Sequence, residues 1–425
     1  MPAPGDKVKL VTKQEIVEGI LLPSPDKKVI MIKLDNGYNI GFPEKDVSKI
    51  IVVEKAAAKK EQSAIIIKNK NLPTISILHT GGTIASKVDY KTGGVFAGFT
   101  NEDFLGMFPE MSTIANIRSR HVANLMSEDM RFNHYQLLAT AIEEEIKKGT
   151  SGIIIGHGTD TIAITAAALS FMLENVSVPV ILVGSQRSSD RGSTDAAMNL
   201  FCAAQFIIHS GYQSVGICMH EHSSDTACLI LPATKTRKMH TSRRDAFKVV
   251  NGKPIARVDY KTGKINWFNK PMVSGGKMFV RAKFEDKVAV IKTYVNMSSI
   301  FFDALITHKF KGLVLEATGI GQAPTNIDEN IPNYKALQTF IKNGGVVVLT
   351  SQCLFGAVHP DIYSNCRRLR DIGVIFGKDM LTETAQVKLA WLLGNYSSDE
   401  VKKLICTNLR GEINERQEYM PEFSE

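Results

Sequence analysis

The spacing of apolar residues changes character along the chain. Up to about residue 55 it alternates or runs in short bursts: Val8-Lys9-Leu10-Val11, Ile16 to Leu22, Val29 to Leu34, Tyr38 to Phe42, and Ile50 to Val53. Period-two alternation and short β-branched runs predict strands. Between them stand the turn Pro23-Ser24-Pro25-Asp26 and the hairpin signal Asp35-Asn36-Gly37, whose Asn and Gly tolerate φ > 0. Several short strands and no helix predict a small, SH3-like β-barrel over residues 1–55, either a stabilising appendage or a docking module. Residues 56–71, which open on an alanine- and lysine-rich run, predict a linker.

From Leu72 onward buried-type strands alternate with helical stretches, the pattern of a mostly parallel sheet. Strands are expected at Thr74 to Leu78, Gly152 to Gly156, Val178 to Gly184 and Ser214 to Met219. Helices are expected at Phe132 to Lys148, Ile162 to Leu173 and Asp195 to His209. Residues 251 to 286 are hydrophilic and glycine-spotted and read as a crossing between domains. A second set follows, with strands at Val288 to Ile291, Gly312 to Glu316 and Val346 to Leu349. The expected fold class is therefore α/β. Two domains with mostly parallel sheets, 72–265 and 287–425, are joined by a linker at 266–286 and preceded by the barrel.

Composition sets outer bounds. The 425 residues allow two or three domains, and 44% hydrophobic with 22% charged residues describes a globular protein. A net charge of +8 is compatible with an RNA partner without requiring one. The six cysteines are scattered with no CxxC pair, so neither a disulfide framework nor a zinc cluster is indicated. Met1 to Asp6 lacks an apolar signal core and no apolar run is long enough to span a bilayer, so a cytoplasmic location is expected.

Two strand ends carry the chemistry. One runs into His79-Thr80-Gly81-Gly82-Thr83, the other into His157-Gly158-Thr159-Asp160-Thr161. Open α/β sheets bind ligands at the carboxyl ends of their strands, so both threonines are placed to face one crevice. A threonine hydroxyl is a weak nucleophile and needs a base. Lys238, in the basic stretch Thr234 to Phe247, supplies one if its surroundings lower its proton affinity. Asp160 would orient it, and the glycine turns offer N–H donors to an oxyanion. Together these describe an acyl-transfer site for a small amide. The glycine-rich loop 86–100 follows Thr83 and is a candidate lid, with Tyr90 on it. Singly, the same residues have blander roles. Thr83 is a strand-end hydroxyl, Asp160 a helix cap, His79 and His157 structural, and Lys235, Arg237, Arg243 and Arg244 a solvated face on which Lys235 is replaceable.

At these positions the sequence resembles the L-asparaginase family. Thr80-Gly81-Gly82-Thr83-Ile84-Ala85 and His157-Gly158-Thr159-Asp160-Thr161 look like its two signatures, and Lys238-Met239-His240-Thr241 looks like its catalytic-lysine segment. Ser127-Glu128-Asp129-Met130 resembles the segment that holds the substrate's α-carboxylate. The likeness covers about residues 72–410. The barrel and the arginine-rich Thr241 to Phe247 resemble, more narrowly, the D subunits of archaeal glutamyl-tRNA(Gln) amidotransferases. The resemblance implies an asparaginase-like fold and a glutaminase-type subunit that passes ammonia to a partner, the E subunit, which amidates Glu-tRNA(Gln) using ATP. It implies Thr83 attacking the amide, with Thr159, Asp160 and Lys238 as the second half of the site, and leaves open which threonine forms the acyl intermediate. Ser127, Glu128, Gly82 and Gly158 would bind substrate. No metal or cofactor is expected in this chain, and ATP and Mg are expected in the partner. A homodimer within an α2β2 assembly is implied, and Arg243 and Arg244 are candidates to sense the partner. The alternatives are a free-standing L-asparaginase and a non-catalytic tRNA or protein scaffold.

Overall fold

The structure is a computed structural model. It describes the chain apart from residues 1, 3–4, 14, 23–27, 35–38, 56–68, 82–85, 89–94, 98–108, 188–193, 270–274, 418 and 420–425. The expected turns at Pro23 to Asp26 and at Asn36-Gly37 lie outside the described residues.

The N-terminal strands β1 (Lys7–Thr12), β2 (Ile16–Leu22), β3 (Val29–Lys33), β4 (Asn39–Pro43) and β5 (Val47–Glu54) form an antiparallel sheet in the order β4-β3-β2-β1-β5. Alternation along β1 buries Val8 and Leu10, which pack with Leu21 and Ile32 into a small core of their own. Among the described pairings β4 and β5 are the two ends of this sheet.

The main sheet has eight strands. They are β6 (Thr74–His79), β9 (Asn116–His121), β10 (Gly152–Gly156), β12 (Val180–Val183), β13 (Val215–His220), β14 (Ala227–Pro232), β17 (Ala256–Asp259) and β18 (Ile265–Trp267). Their order is β18-β17-β14-β13-β12-β10-β6-β9. The pairs from β13 to β9 are parallel. The pairs from β13 to β18 are antiparallel. The sheet is thus mixed, which corrects the expectation of a mostly parallel one. Part of the stretch read as a crossing belongs to it: Ala256 and Val258 are buried against the sheet, while Arg257 pairs with Glu221 and keeps the segment hydrophilic. Smaller pairings join β7 (Ser86–Val88) to β8 (Val95–Ala97), β11 (Leu173–Glu174) to β19 (Phe279–Val280), and β15 (Thr236–Lys238) to β16 (Phe247–Val249). The C-terminal strands β20 (Val288–Lys292), β21 (Gly312–Ala317), β22 (Val346–Ser351) and β23 (Ile375–Phe376) form a four-stranded parallel sheet in chain order.

Helix Ile162–Met172 is apolar on all sides, and nine of its eleven residues are buried. A helix of that kind needs cover all round. The C-terminal helix Thr382–Asn395 supplies part of it, with Phe171 and Trp391 rings stacked at 5.7 Å, and one continuous core runs from Leu78 to Ile413. Two buried ion pairs fasten the later chain in place: Lys235 Nζ to Asp379 at 2.6 Å and Lys388 Nζ to Glu412 at 2.6 Å. Among the described residues no helix is long and apolar enough to cross a membrane.

Candidate active site

Strands β6 and β10 are parallel neighbours in a register that sets His79 opposite Gly156. Their carboxyl ends therefore open on the same edge. Thr80 is drawn onto β10, its N–H and its hydroxyl both donating to Gly156 O. Gly81 then turns with φ +106, and a Cβ there would lie 2.5 Å from Leu125 O, so only glycine fits. Gly82, Thr83 and Tyr90 lie outside the described residues.

After β10 the chain continues as His157, Gly158, Thr159 and Asp160 into the helix that begins at Ile162. Lys238, at the end of β15, reaches this turn from 78 and 79 residues away. Its Nζ donates to Thr159 Oγ1 at 2.9 Å and to Asp160 Oδ1 at 2.7 Å. The Lys238 side chain is only 14% exposed and Asp160 is 66% exposed, so the lysine lies under a carboxylate that opens to solvent. The expected grouping of Thr159, Asp160 and Lys238 is thus formed.

Ser127 joins them. Gly158 and Ser127 touch so closely that a Cβ on Gly158 would sit 2.9 Å from Ser127 Oγ, and Thr161 Oγ1 donates to Ser127 O at 2.6 Å. Ser127 is buried, while Glu128, next on the same short 3-10 turn, is exposed. His157 Nε2 faces Thr165 Oγ1 at 2.9 Å, and burial pushes both His157 and His79 down to about 4. Both rings are neutral near pH 7 and fit the structural role expected of them.

Two features of the site were not read from the sequence. Gly184, at the end of β12, backs Thr159: a Cβ there would meet Thr159 Cγ2 at 2.8 Å. The segment carrying Lys238 is also fastened to the start of helix Thr382–Asn395 and to the turn before it. Lys235 pairs with Asp379, Arg237 with Glu383 at 3.2 Å, and Thr384 Oγ1 donates to Thr234 O at 2.8 Å. Lys235 is 4% exposed, so the expectation of a solvated, replaceable lysine is corrected. Burial pulls its pKa down and Asp379 opposes that. Arg243 is held in a two-pronged pair with Asp245, and Arg244 donates to Asp225 at 2.8 Å.

This fold matches what comparison with known proteins finds. Residues 74–273 match the family model described as asparaginase, N-terminal, and residues 287–405 the glutaminase/asparaginase C-terminal domain. The solved L-asparaginase of Thermococcus kodakarensis is 29% identical with a TM-score of 0.73, covering 81% of this chain and 100% of that one. L-asparaginase I of Vibrio cholerae is 29% identical at a TM-score of 0.69, with 81% and 99% covered. Residues 3–53 match the GatD N-terminal domain. Across 421 residues, 96% of this chain and 94% of the relative, the sequence is 45% identical to the D subunit of the glutamyl-tRNA(Gln) amidotransferase of Pyrococcus furiosus. It is 41% identical over 417 residues to that of Methanococcus maripaludis, with 97% and 98% covered. The chain belongs to the family of glutamyl-tRNA(Gln) amidotransferase D subunits.

Proposed function

We propose that this chain is the glutaminase-type subunit of a Glu-tRNA(Gln) amidotransferase. It hydrolyses the side-chain amide of glutamine, or of asparagine, through a threonine nucleophile and hands ammonia to a partner subunit. The observation that carries this reading is Lys238 Nζ seated between Thr159 Oγ1 and Asp160, in a chain 45% identical to an amidotransferase D subunit over almost its whole length.

The nucleophile is Thr83 or Thr159. The attacking hydroxyl adds to the amide carbon and its proton passes to the lysine amine. The tetrahedral intermediate collapses as that proton moves to the leaving nitrogen, and ammonia departs. Water then cleaves the acyl ester and regenerates the hydroxyl. Asp160 holds the amine in place, and backbone N–H groups at Gly82 and Gly158 face the oxyanion. Ser127 takes the substrate's α-carboxylate, the Glu128 carboxylate the α-ammonium beside it, and Tyr90 is the lid residue. No metal or cofactor acts in this chain. ATP and Mg belong to the partner E subunit, which converts Glu-tRNA(Gln) to Gln-tRNA(Gln).

The assembly we propose is a homodimer of this chain within an α2β2 complex in the cytoplasm. Its support is an apolar cluster beside edge strand β20: Tyr294, Val295, Ile300 and Phe301 are 46%, 96%, 64% and 47% exposed. The domain division proposed is 1–55, 72–265 and 287–425, with linkers at 56–71 and 266–286. The N-terminal strands are assigned to an SH3-like barrel, in which the turn Glu44–Asp46 between β4 and β5 would be the closing corner.

An electrophilic diazoketone analogue of glutamine tests the site. Peptide mass spectrometry of the treated chain should find the label on Thr83 or Thr159. A label elsewhere, with both threonines untouched, overturns the assignment.

A further inference from the structure

Thr159 is backed, at its Cγ2, by Gly184, and from Gly184 runs a largely buried polar chain that the proposed chemistry does not use. Gly184 O, at the residue that backs Thr159, accepts a hydrogen bond from Asn199 Nδ2 at 3.0 Å. The same Nδ2 faces the buried Asp195 carboxylate at 3.2 Å. Both partners are acceptors, which fixes the amide with its oxygen turned the other way. There His220 Nδ1 lies 2.6 Å from Asn199 Oδ1. His220 is fully buried, and its Nε2 lies 3.1 Å from Asp225 Oδ1. Asp225 is 60% exposed and also receives Arg244 Nη1 at 2.8 Å. Arg244 stands on the turn between β15 and β16, the hairpin that carries Lys238.

We propose that His220 is a positioning residue for the Thr159–Lys238 site, linking the arginine-bearing turn to the backing of Thr159 through Asp225, Asn199 and Gly184. The inference rests on the amide-hydrolysing reading above. The hairpin then touches Thr159 by two routes, directly through Lys238 and from behind through His220. Displacing the half-buried Arg244 from Asp225 shifts Gly184 and, with it, the hydroxyl that must meet the amide. Partly buried side chains coupled in this way have two ends that respond together, since each member's orientation depends on the next.

Steady-state glutamine hydrolysis by the assembled complex with Glu-tRNA(Gln) tests this. Wild type must release ammonia first, and failure there removes the amidohydrolase reading rather than this inference. His220→Phe, Asp225→Asn and Arg244→Met should each lower kcat about tenfold, as small misplacement of a reacting group does, with KM held within about twofold. His220→Gln keeps an N–H donor and should recover part of the loss. The double variant His220→Phe with Arg244→Met should be no slower than the worse single, because coupled sites are not additive. Lys248→Met, on the same hairpin but with its ammonium 3.8 Å from Asp245 and outside this polar chain, should stay within about twofold of wild type. Should His220→Phe not fold, Asp225→Asn at the exposed end carries the test alone. Unchanged kcat in Asp225→Asn, losses confined to KM, or multiplicative losses in the double variant would overturn the proposal.

Discussion

Lys238 Nζ lies 2.9 Å from Thr159 Oγ1, though 79 residues separate the two in the chain. The contact joins a surface hairpin to the carboxyl end of a buried parallel strand. If Thr159 and Thr83 share the chemistry, removing either hydroxyl removes a reacting or positioning atom and little volume. Thr83→Ala and Thr159→Ala should each cut amide hydrolysis on the order of 10³-fold or more, with melting temperatures near wild type. Ammonia release close to normal from either variant would remove that residue from the mechanism.

The two lysines of the basic stretch should separate cleanly. Lys238→Met keeps the aliphatic stem and loses the amine, so hydrolysis should vanish while stability changes little. Lys235→Met leaves Asp379 buried without its ion-pair partner, and breaking such a pair costs about 3–5 kcal/mol. Chemical denaturation and ammonia assays on both variants check this. A stable, fully active Lys235→Met protein would contradict the buried pairing.

Thr159 and Asp160 were legible because they follow a strand end and a glycine, and Lys238 because its segment resembles the family's catalytic-lysine segment. Lys235 was not, because its partner Asp379 is 144 residues away and it stands in a run of cations that reads as a solvated face. The antiparallel half of the main sheet was hidden for a related reason. Val258 is buried, but Arg257 and Asp259 beside it face partners outside the core and dilute the apolar signal. Gly184 ends a strand as many glycines do, and only its distance to Thr159 sets it apart.

Gly184→Ala tests that distance. The added methyl would sit 2.8 Å from Thr159 Cγ2, so the threonine must move or the strand end must. Displacement of that order at a reacting group costs about 10²-fold in rate. The expected result is a large fall in kcat in a chain that still melts cooperatively. Wild-type kcat would show that Thr159's position is not critical.

Acid should destabilise the fold in two windows. His79 and His157 are held to about 4 by burial, below their unfolded value near 6.5. The unfolded chain therefore binds more protons between these limits, and stability falls as pH drops from about 6.5 to 4. Burial pushes Glu145 up, but Lys148, Arg118 and Ser76 together pull it further down, to about 2. Its contribution is present above about 4.5 and is lost toward pH 2. Denaturation midpoints across this range should flatten in the lower window for Glu145→Gln. An unchanged slope would contradict the pairing.

Glutamine hydrolysis measured in three steps tests the central claim most directly: the isolated chain, then the chain with the E subunit, then both with Glu-tRNA(Gln). An ammonia-supplying chain that worked freely would waste glutamine, so its competent state should be sparsely populated until the acceptor is bound. The account predicts slow release at first and a large rise at the last step. Full activity in the isolated chain, unchanged by either addition, would mean a free amidohydrolase and contradict it.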